Sequence, residues 1–175
     1  MDTVNSITNS INSSLCDGTT YKFFRQRLID GLPTRDENPA NHFCAYFLPF
    51  NPLNKKVFIV HHKKSGLWIS PGGHMDKGET LLETLNREIM EELGIQNFFT
   101  SEPLPFLLTI TPIENDVQPC KSHFDVWYLM PTDGNNFNID PKEFNDTKWM
   151  TVAEADKIVT DAANRKALER VKLIK

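Results

Sequence analysis

Three glutamates, Glu88, Glu91 and Glu92, stand next to Arg87 on a segment that follows the glycines Gly72, Gly73 and Gly78, with Glu79 and Glu83 just upstream. Carboxylate oxygens are hard ligands suited to Mg²⁺ or Mn²⁺, and Mg²⁺ characteristically keeps several waters while also binding substrate phosphates. Glycine lets the backbone approach a ligand closely, and free N–H groups in a turn point at an anion or set a carbonyl on a metal. Together these residue types form a platform for metal and phosphate.

A helix must carry the glutamates. Thr80 to Leu93 contains no Gly or Pro and is rich in Leu, Glu and Met, and Gly94 follows as a stop signal. At about 100° per residue, Leu81, Leu82, Leu85, Ile89 and Leu93 share one arc of roughly 120°, the core-facing stripe. Glu92 falls just inside one edge of that arc, Glu88 about 20° outside it, and Glu91 some 60° further round. Glu83, Arg87 and Glu91 form an i, i+4, i+8 ladder in which Arg87 can pair with either neighbour. A solvated face is the ordinary reading of such a run. Two like charges at i, i+4, however, repel by roughly 0.7 kcal/mol at ~6 Å in water and about 3 kcal/mol at an effective dielectric near 20. At the margin of a core, that repulsion calls for a cation.

From Gly73 to Ile95 the chain reads Gly, five residues, Glu79, seven residues, Arg87-Glu88, the aliphatic Ile89, one residue, Glu91-Glu92, one residue, Gly94, Ile95. At every fixed position it resembles the Nudix box of the Nudix hydrolase superfamily. The resemblance implies an α/β/α sandwich with a mixed sheet and hydrolysis of a nucleoside diphosphate linked to another moiety, with Mg²⁺ as cofactor and Mn²⁺ as its substitute. It makes Glu88 and Glu92 metal ligands, Glu91 a third ligand or the general base, and the carbonyl of Gly73 or its neighbour part of the metal shell. Arg87 then orients the glutamates within the catalytic group, while Glu79, Gly78 and Gly94 support the box. The substrate is a small nucleotide: a triphosphate, a nucleotide sugar or a dinucleoside polyphosphate. A capped RNA end is disfavoured by the acidic balance. An isopentenyl diphosphate isomerase shares the fold but uses a degenerate box and a catalytic cysteine, for which Cys44 stands as the candidate. A non-catalytic sensor usually lacks box glutamates, and here none is missing. A purely structural or interaction face is the third rival.

The rest of the chain reads as an α+β or mixed α/β class. With 175 residues of which 39% are hydrophobic, it has room for one sizeable core. A net charge of −4 argues against a broad nucleic-acid surface. No stretch approaches 18 apolar residues, so no membrane span is expected. Cys16, Cys44 and Cys120 share no metal-ligand spacing and read as free thiols of a cytoplasmic protein.

Residues 1–40 read as an N-terminal helical extension to a domain over 41–175. Val4, Ile7, Ile11 and Leu15 recur at helical spacing in an Asn/Ser-rich start that admits fraying, and Tyr21 to Asp30 is a second helix closed by Gly31. The extension could cover a sheet edge, mediate a homodimer or shape the substrate mouth. Strands follow at His42–Leu48, Val57–His62 and Leu67–Ser70, then one or two over Phe98–Thr111. TPIENDVQP makes a loop carrying Glu114 and Asp116. In SHFDVWYLM, alternation sets His123, Asp125 and Trp127 on one face, a polar face on an otherwise apolar strand. These three, with His74 in the glycine turn and Trp68 just before it, are the candidate substrate contacts. After a long loop and a short strand through Trp149, Thr151 to Glu154 fits a capping box. Asp161–Ile174 supplies the last helix, with Ala163, Ala167, Leu168, Val171 and Ile174 on one side.

Overall fold

The computed structural model describes residues 2–114 and 119–174, so Asp116 lies outside the described residues. Strands β1 (Asn41–Asn51), β2 (Lys56–His62), β3 (Trp68–Ile69), β4 (Gly72–His74), β5 (Leu107–Pro112), β6 (Ser122–Pro131) and β7 (Phe144–Thr151) form one mixed, unclosed sheet. The long pairing of β1 with β6 is parallel, and the other pairings are antiparallel. Strand β1 forks: its end pairs with β2 through Phe50↔Val57, while its middle pairs with β4 through Cys44↔His74, Ala45↔Gly73 and Tyr46↔Gly72.

Period-two alternation gives the sheet two apolar faces. Phe43, Ala45, Phe47, Val60, Phe124, Val126 and Tyr128 point to one, which is covered by helices α1 (Thr3–Ser10), α2 (Gly18–Ile29) and α3 (Leu81–Leu93) through Ile7, Phe24, Leu81, Leu85 and Ile89. Leu48, Phe50, Val57 and Ile59 point to the other, covered by α4 (Val152–Ile158) and α5 (Ala162–Val171) through Ala155, Leu168 and Val171. A mixed sheet thus lies between two helical layers.

Helix α3 begins one residue later than the pattern predicts, because Thr80 is its N-cap in a capping box with Glu83. Gly94 closes it in the left-handed conformation at φ 70°. Leu82 is only half-buried, while Thr84, about 60° beyond the opposite edge of the stripe, is fully buried, so the buried arc is displaced toward Glu88 and Glu92. The N-terminal pattern breaks at Ile11, where α1 ends and Asn12 caps a separate 3₁₀ turn, Ser13–Leu15. Helix α1 is tied to the box helix: the Ser6 hydroxyl donates to Glu102 at 2.9 Å and accepts the Leu81 N–H at 3.0 Å. Ser10 donates to the other oxygen of Glu102 at 2.7 Å.

Other boundaries move for local reasons. The expected glycine turn is strand β4, and the strand expected over Leu67–Ser70 shrinks to β3. Within Phe98–Thr111, pairing starts at Phe106, whose N–H donates to the Trp127 carbonyl; Pro103 and Pro105, lacking donors, keep the preceding stretch out of the sheet. Strand β7 runs from Phe144 to Thr151 along the full length of β2. Helix α5 stops at Val171, leaving Ile174 at 37% exposure instead of on the core side.

Candidate active site

Strand β4 and helix α3 bring the box residues to one wall of a cavity of about 710 Å³. The core stripe of α3 anchors the helix so that Glu88 and Glu92 are buried at the seam while Glu91, with a side chain 56% exposed, stands at the rim. The Gly72 N–H donates to Glu92 Oε2 at 2.8 Å. Gly72 has φ 135°, and a Cβ there would lie 2.5 Å from the Ala45 carbonyl oxygen and 2.6 Å from Tyr46 Cα, so only glycine fits. A Cβ on Gly73 would overlap the Glu88 carboxylate, 2.6 Å from its Cδ.

Arg87 ties the box together. Its Nε and Nη2 donate to the two oxygens of Glu79 at 2.7 and 3.0 Å, its Nη1 to Glu88 Oε1 at 2.7 Å, and its Nη2 also to the His74 carbonyl at 2.8 Å. The contact with Glu91 is longer, 3.3 Å. The predicted ladder is therefore half right: Glu83 is spent on the helix cap, and Glu79 replaces it as the partner of Arg87. Burial works against the charge on Glu79, but hydrogen bonds from Arg87 and Thr84 outweigh it and hold the carboxyl below its ordinary range. Gly78, at φ 87°, turns the chain between β4 and α3.

Burial pushes the Glu88 carboxyl up to about 7 against the pull of Arg87. Burial, with the Glu88 charge beside it, raises Glu92 well above the carboxylate range, the Gly72 N–H opposing. Of the two buried acids, Glu88 has the Arg87 guanidinium beside it and Glu92 has the Gly72 N–H, so the pair is short of positive charge. That deficit, with the Gly73 backbone lying against the Glu88 carboxylate, fits a hard divalent cation. Glu88, Glu91 and Glu92 do not converge into a compact three-carboxylate cluster among the described residues. Two carboxylates, with water and phosphate oxygens completing the shell, suit a hard divalent metal ion.

A pH dependence follows for the metal-free protein. An acid whose folded pKa lies above its unfolded value stabilises the fold below the unfolded value, and that contribution disappears as pH rises through the folded value. Glu88, Glu92 and Asp125, the last raised by burial to about 7, all act in this sense. Burial lowers His74 to about 3 and His123 to about 4; their opposing contribution is complete by about pH 6.5. Chelator-treated protein is therefore expected to lose roughly 1–2 kcal/mol per pH unit between about pH 6.5 and 7.5. Thermal midpoints at pH 6.5 and 8 check this. A midpoint that holds or rises across the interval contradicts it.

The remaining candidates divide. His74, His123, Asp125 and Trp127 line the cavity together with the box, whereas Trp68 lies outside its lining, stacked on His61 at 5.1 Å with Lys148 over its ring. Trp127 is almost fully buried, stacked on Tyr46 at 4.9 Å and donating to Thr109 at 2.8 Å. Asp125 accepts from Thr109 and Thr111 at 2.9 and 2.5 Å, and its Oδ1 has no partner among the described residues. Arg35 and Asp76, paired at 2.6 Å, and Asn164 from α5 also line the cavity. Sequence spacing does not reveal these three, because each arrives from a separate element.

A family model of the NUDIX domain matches residues 40–171. The chain belongs to the Nudix family. Its Nudix domain is 28% identical over 120 residues to the m7GpppN-mRNA hydrolase NUDT17 of Xenopus laevis, a match covering 61% of this chain and 40% of that one. It is 30% identical over 99 residues to the NAD-capped RNA hydrolase NudC of an Enterobacter species, covering 53% and 33%. The matched part is thus less than half the length of these curated relatives. Among solved structures, the E. coli dihydroneopterin triphosphate pyrophosphohydrolase superposes with a TM-score of 0.58 at 17% identity over 80% of this chain and 97% of that one. A C. elegans Ap4A hydrolase does so at 0.55 and 17%, over 77% and 96%. These likenesses extend the Nudix fold over most of the chain. Among the described residues no helix is long and apolar enough to cross a membrane.

Proposed function

We propose that this Nudix domain is a metal-dependent hydrolase that cleaves a pyrophosphate bond in a nucleoside diphosphate linked to another moiety. The observation that carries the reading is the buried Glu88–Glu92 pair, held by Arg87 and the Gly72 N–H on the wall of a cavity of about 710 Å³. That volume is in the range of small-molecule sites. Glu88, Glu92 and the Gly73 carbonyl would hold the ion. A divalent cation there supplies Lewis-acid polarisation of phosphoryl oxygens and a bound water of lowered pKa. Arg87 fixes the orientation of Glu88 through its bidentate grip on Glu79. Glu91, at the exposed rim with a long contact to Arg87, takes the proton of the attacking water as general base. Gly78, Glu79 and Gly94 hold the ends of the box in place, Asp125 offers a polar contact to the substrate, and His74 and His123 line the same cavity.

Residues 1–40 act as a helical addition to the domain that follows, and a cytoplasmic location suits nucleotide substrates and free thiols. Two rival readings lose ground on specific observations. Cys44, the cysteine of an isomerase-like reading, is wholly buried and its thiol is pushed up by burial, which removes it from substrate. A sensor reading has no missing glutamate to point to. The deciding experiment is a phosphate-release and chromatographic screen with Mg²⁺ and Mn²⁺, using nucleoside triphosphates, nucleotide sugars, dinucleoside polyphosphates and, because curated relatives carry RNA-end names, capped RNA. Cleavage abolished by chelator supports the proposal. No cleavage of any substrate, or cleavage indifferent to chelator, rejects it.

A further inference from the structure

The sheet register assembles a second set of donors, of a different chemical kind from the box. His42 and Cys44 are two apart on β1 and share its α5-facing side. His42 is directly opposite His123 on β6, and Cys44 directly opposite His74 on β4. The three rings form a triangle with centroids 4.8, 5.2 and 4.8 Å apart, and one donor atom from each ring together with the Cys44 sulfur all lie within 4.8 Å of one another. Among the described residues, this is the one group of three or more His, Cys, Asp or Glu side chains so gathered.

A second observation points to a ligand. His42 is 1% exposed, and its Nδ1 lies 3.1 Å from the Asn38 carbonyl, an acceptor, so Nδ1 carries the proton. Nε2 is therefore a bare lone pair, and it is buried without a hydrogen-bond partner among the described residues. Native proteins rarely leave such an atom unmet. A ring whose far nitrogen donates to a backbone carbonyl while the near one is free is in the metal-ligating tautomer. Between the other two rings, Nε2 of His74 and Nε2 of His123 approach to 3.1 Å. That is close to the separation of about 3.3 Å that two nitrogens adopt on a tetrahedral ion with Zn–N bonds of about 2.0–2.1 Å.

We propose that His42, Cys44, His74 and His123 form a transition-metal site, distinct from the glutamate box, that binds one Zn²⁺ in a closed tetrahedral shell. Three imidazoles and a thiolate are borderline-to-soft donors that suit Zn²⁺ and are poor ligands for Mg²⁺, whereas the box carboxylates have the opposite preference. The donors need to close by only about 1 Å to reach zinc distances. Loading expels the Cys44 thiol proton, so binding tightens as pH rises. With four protein ligands the ion has no open position, which makes its role structural: it clamps β4 and β6 to β1 beside the cavity.

The test uses the full chain, freed of metal with chelator and titrated with Co²⁺ as a spectroscopic probe. One equivalent is expected to saturate a near-ultraviolet thiolate-to-cobalt band accompanied by the intense visible absorption of tetrahedral cobalt. Equimolar Zn²⁺ should displace it and excess Mg²⁺ should not. Cys44→Ser should remove the near-ultraviolet band. His123→Asn, at a less buried position, should weaken Zn²⁺ binding at least about 100-fold and serves if Cys44→Ser does not fold. A Glu88→Gln, Glu92→Gln double variant should keep the band, which separates this site from the box. Absence of the thiolate band in the wild-type chain, its survival in Cys44→Ser, its loss in the box variant, or unchanged Zn²⁺ affinity in His123→Asn each overturns the proposal.

Discussion

Replacing Glu92 with Gln is expected to lower kcat/KM by about 10³-fold, a transition-state loss of ~4 kcal/mol, while leaving the fold intact. Gln is nearly isosteric and its amide oxygen still accepts the Gly72 N–H that now bonds Glu92 at 2.8 Å. What disappears is a negative charge that burial already opposes. The same change should therefore raise the thermal midpoint of metal-free protein, since burial penalises the carboxylate that Gln replaces. Opposite signs for activity and stability mark a group retained for chemistry at a cost to the fold. Glu88→Gln should act in the same direction, with a smaller gain in stability because Arg87 already compensates the Glu88 charge. Wild-type turnover in Glu92→Gln would remove that residue from the catalytic group.

The second large effect separates two adjacent glycines. In Gly73→Ala the added methyl meets the Glu88 carboxylate, the far end of a side chain that can rotate away. Activity should fall about 100-fold or more as Glu88 leaves its place, with only about 1–2 kcal/mol of stability lost. In Gly72→Ala the methyl meets the backbone of Ala45 and Tyr46, which sits mid-sheet, and φ 135° is closed to alanine. About 3 kcal/mol or more should be lost there, enough to threaten folding. Chemical denaturation together with steady-state kinetics on both variants checks the contrast. Equal stability losses would mean that β4 is less firmly fixed than its pairing indicates.

The box helix was readable from sequence because a 3.6-residue period and its capping residues are local signals, as were the second capping box at Thr151–Glu154 and the alternation along Ser122–Pro131. What escaped depends on partners far away in the chain. Gly72–His74 has no strand pattern of its own and becomes β4 only because β1 offers it an edge. Arg87 selects Glu79 over Glu83 because the turn at Gly78 folds Glu79 back against the helix while Glu83 closes the cap. His42 and Cys44 show only an i, i+2 spacing in the sequence. The spacing carries no signal by itself, since the other two donors come from β4 and β6. Leu82 shows that a helical wheel ranks faces but does not know where the covering layer ends.

The Ser6 hydroxyl links the amino-terminal turn of the box helix to Glu102, so α1 closes off a donor at the start of α3. Detaching α1 exposes the Leu81 amide and leaves two serine contacts to Glu102 unmade. Local opening of residues 2–11 and fraying of the first turn of α3 therefore belong to one cooperative unit, exchanging their amide hydrogens together. The extension behaves as a latch on the rigidity of the box, one that proteolysis or a fused segment at the amino terminus can release from a distance.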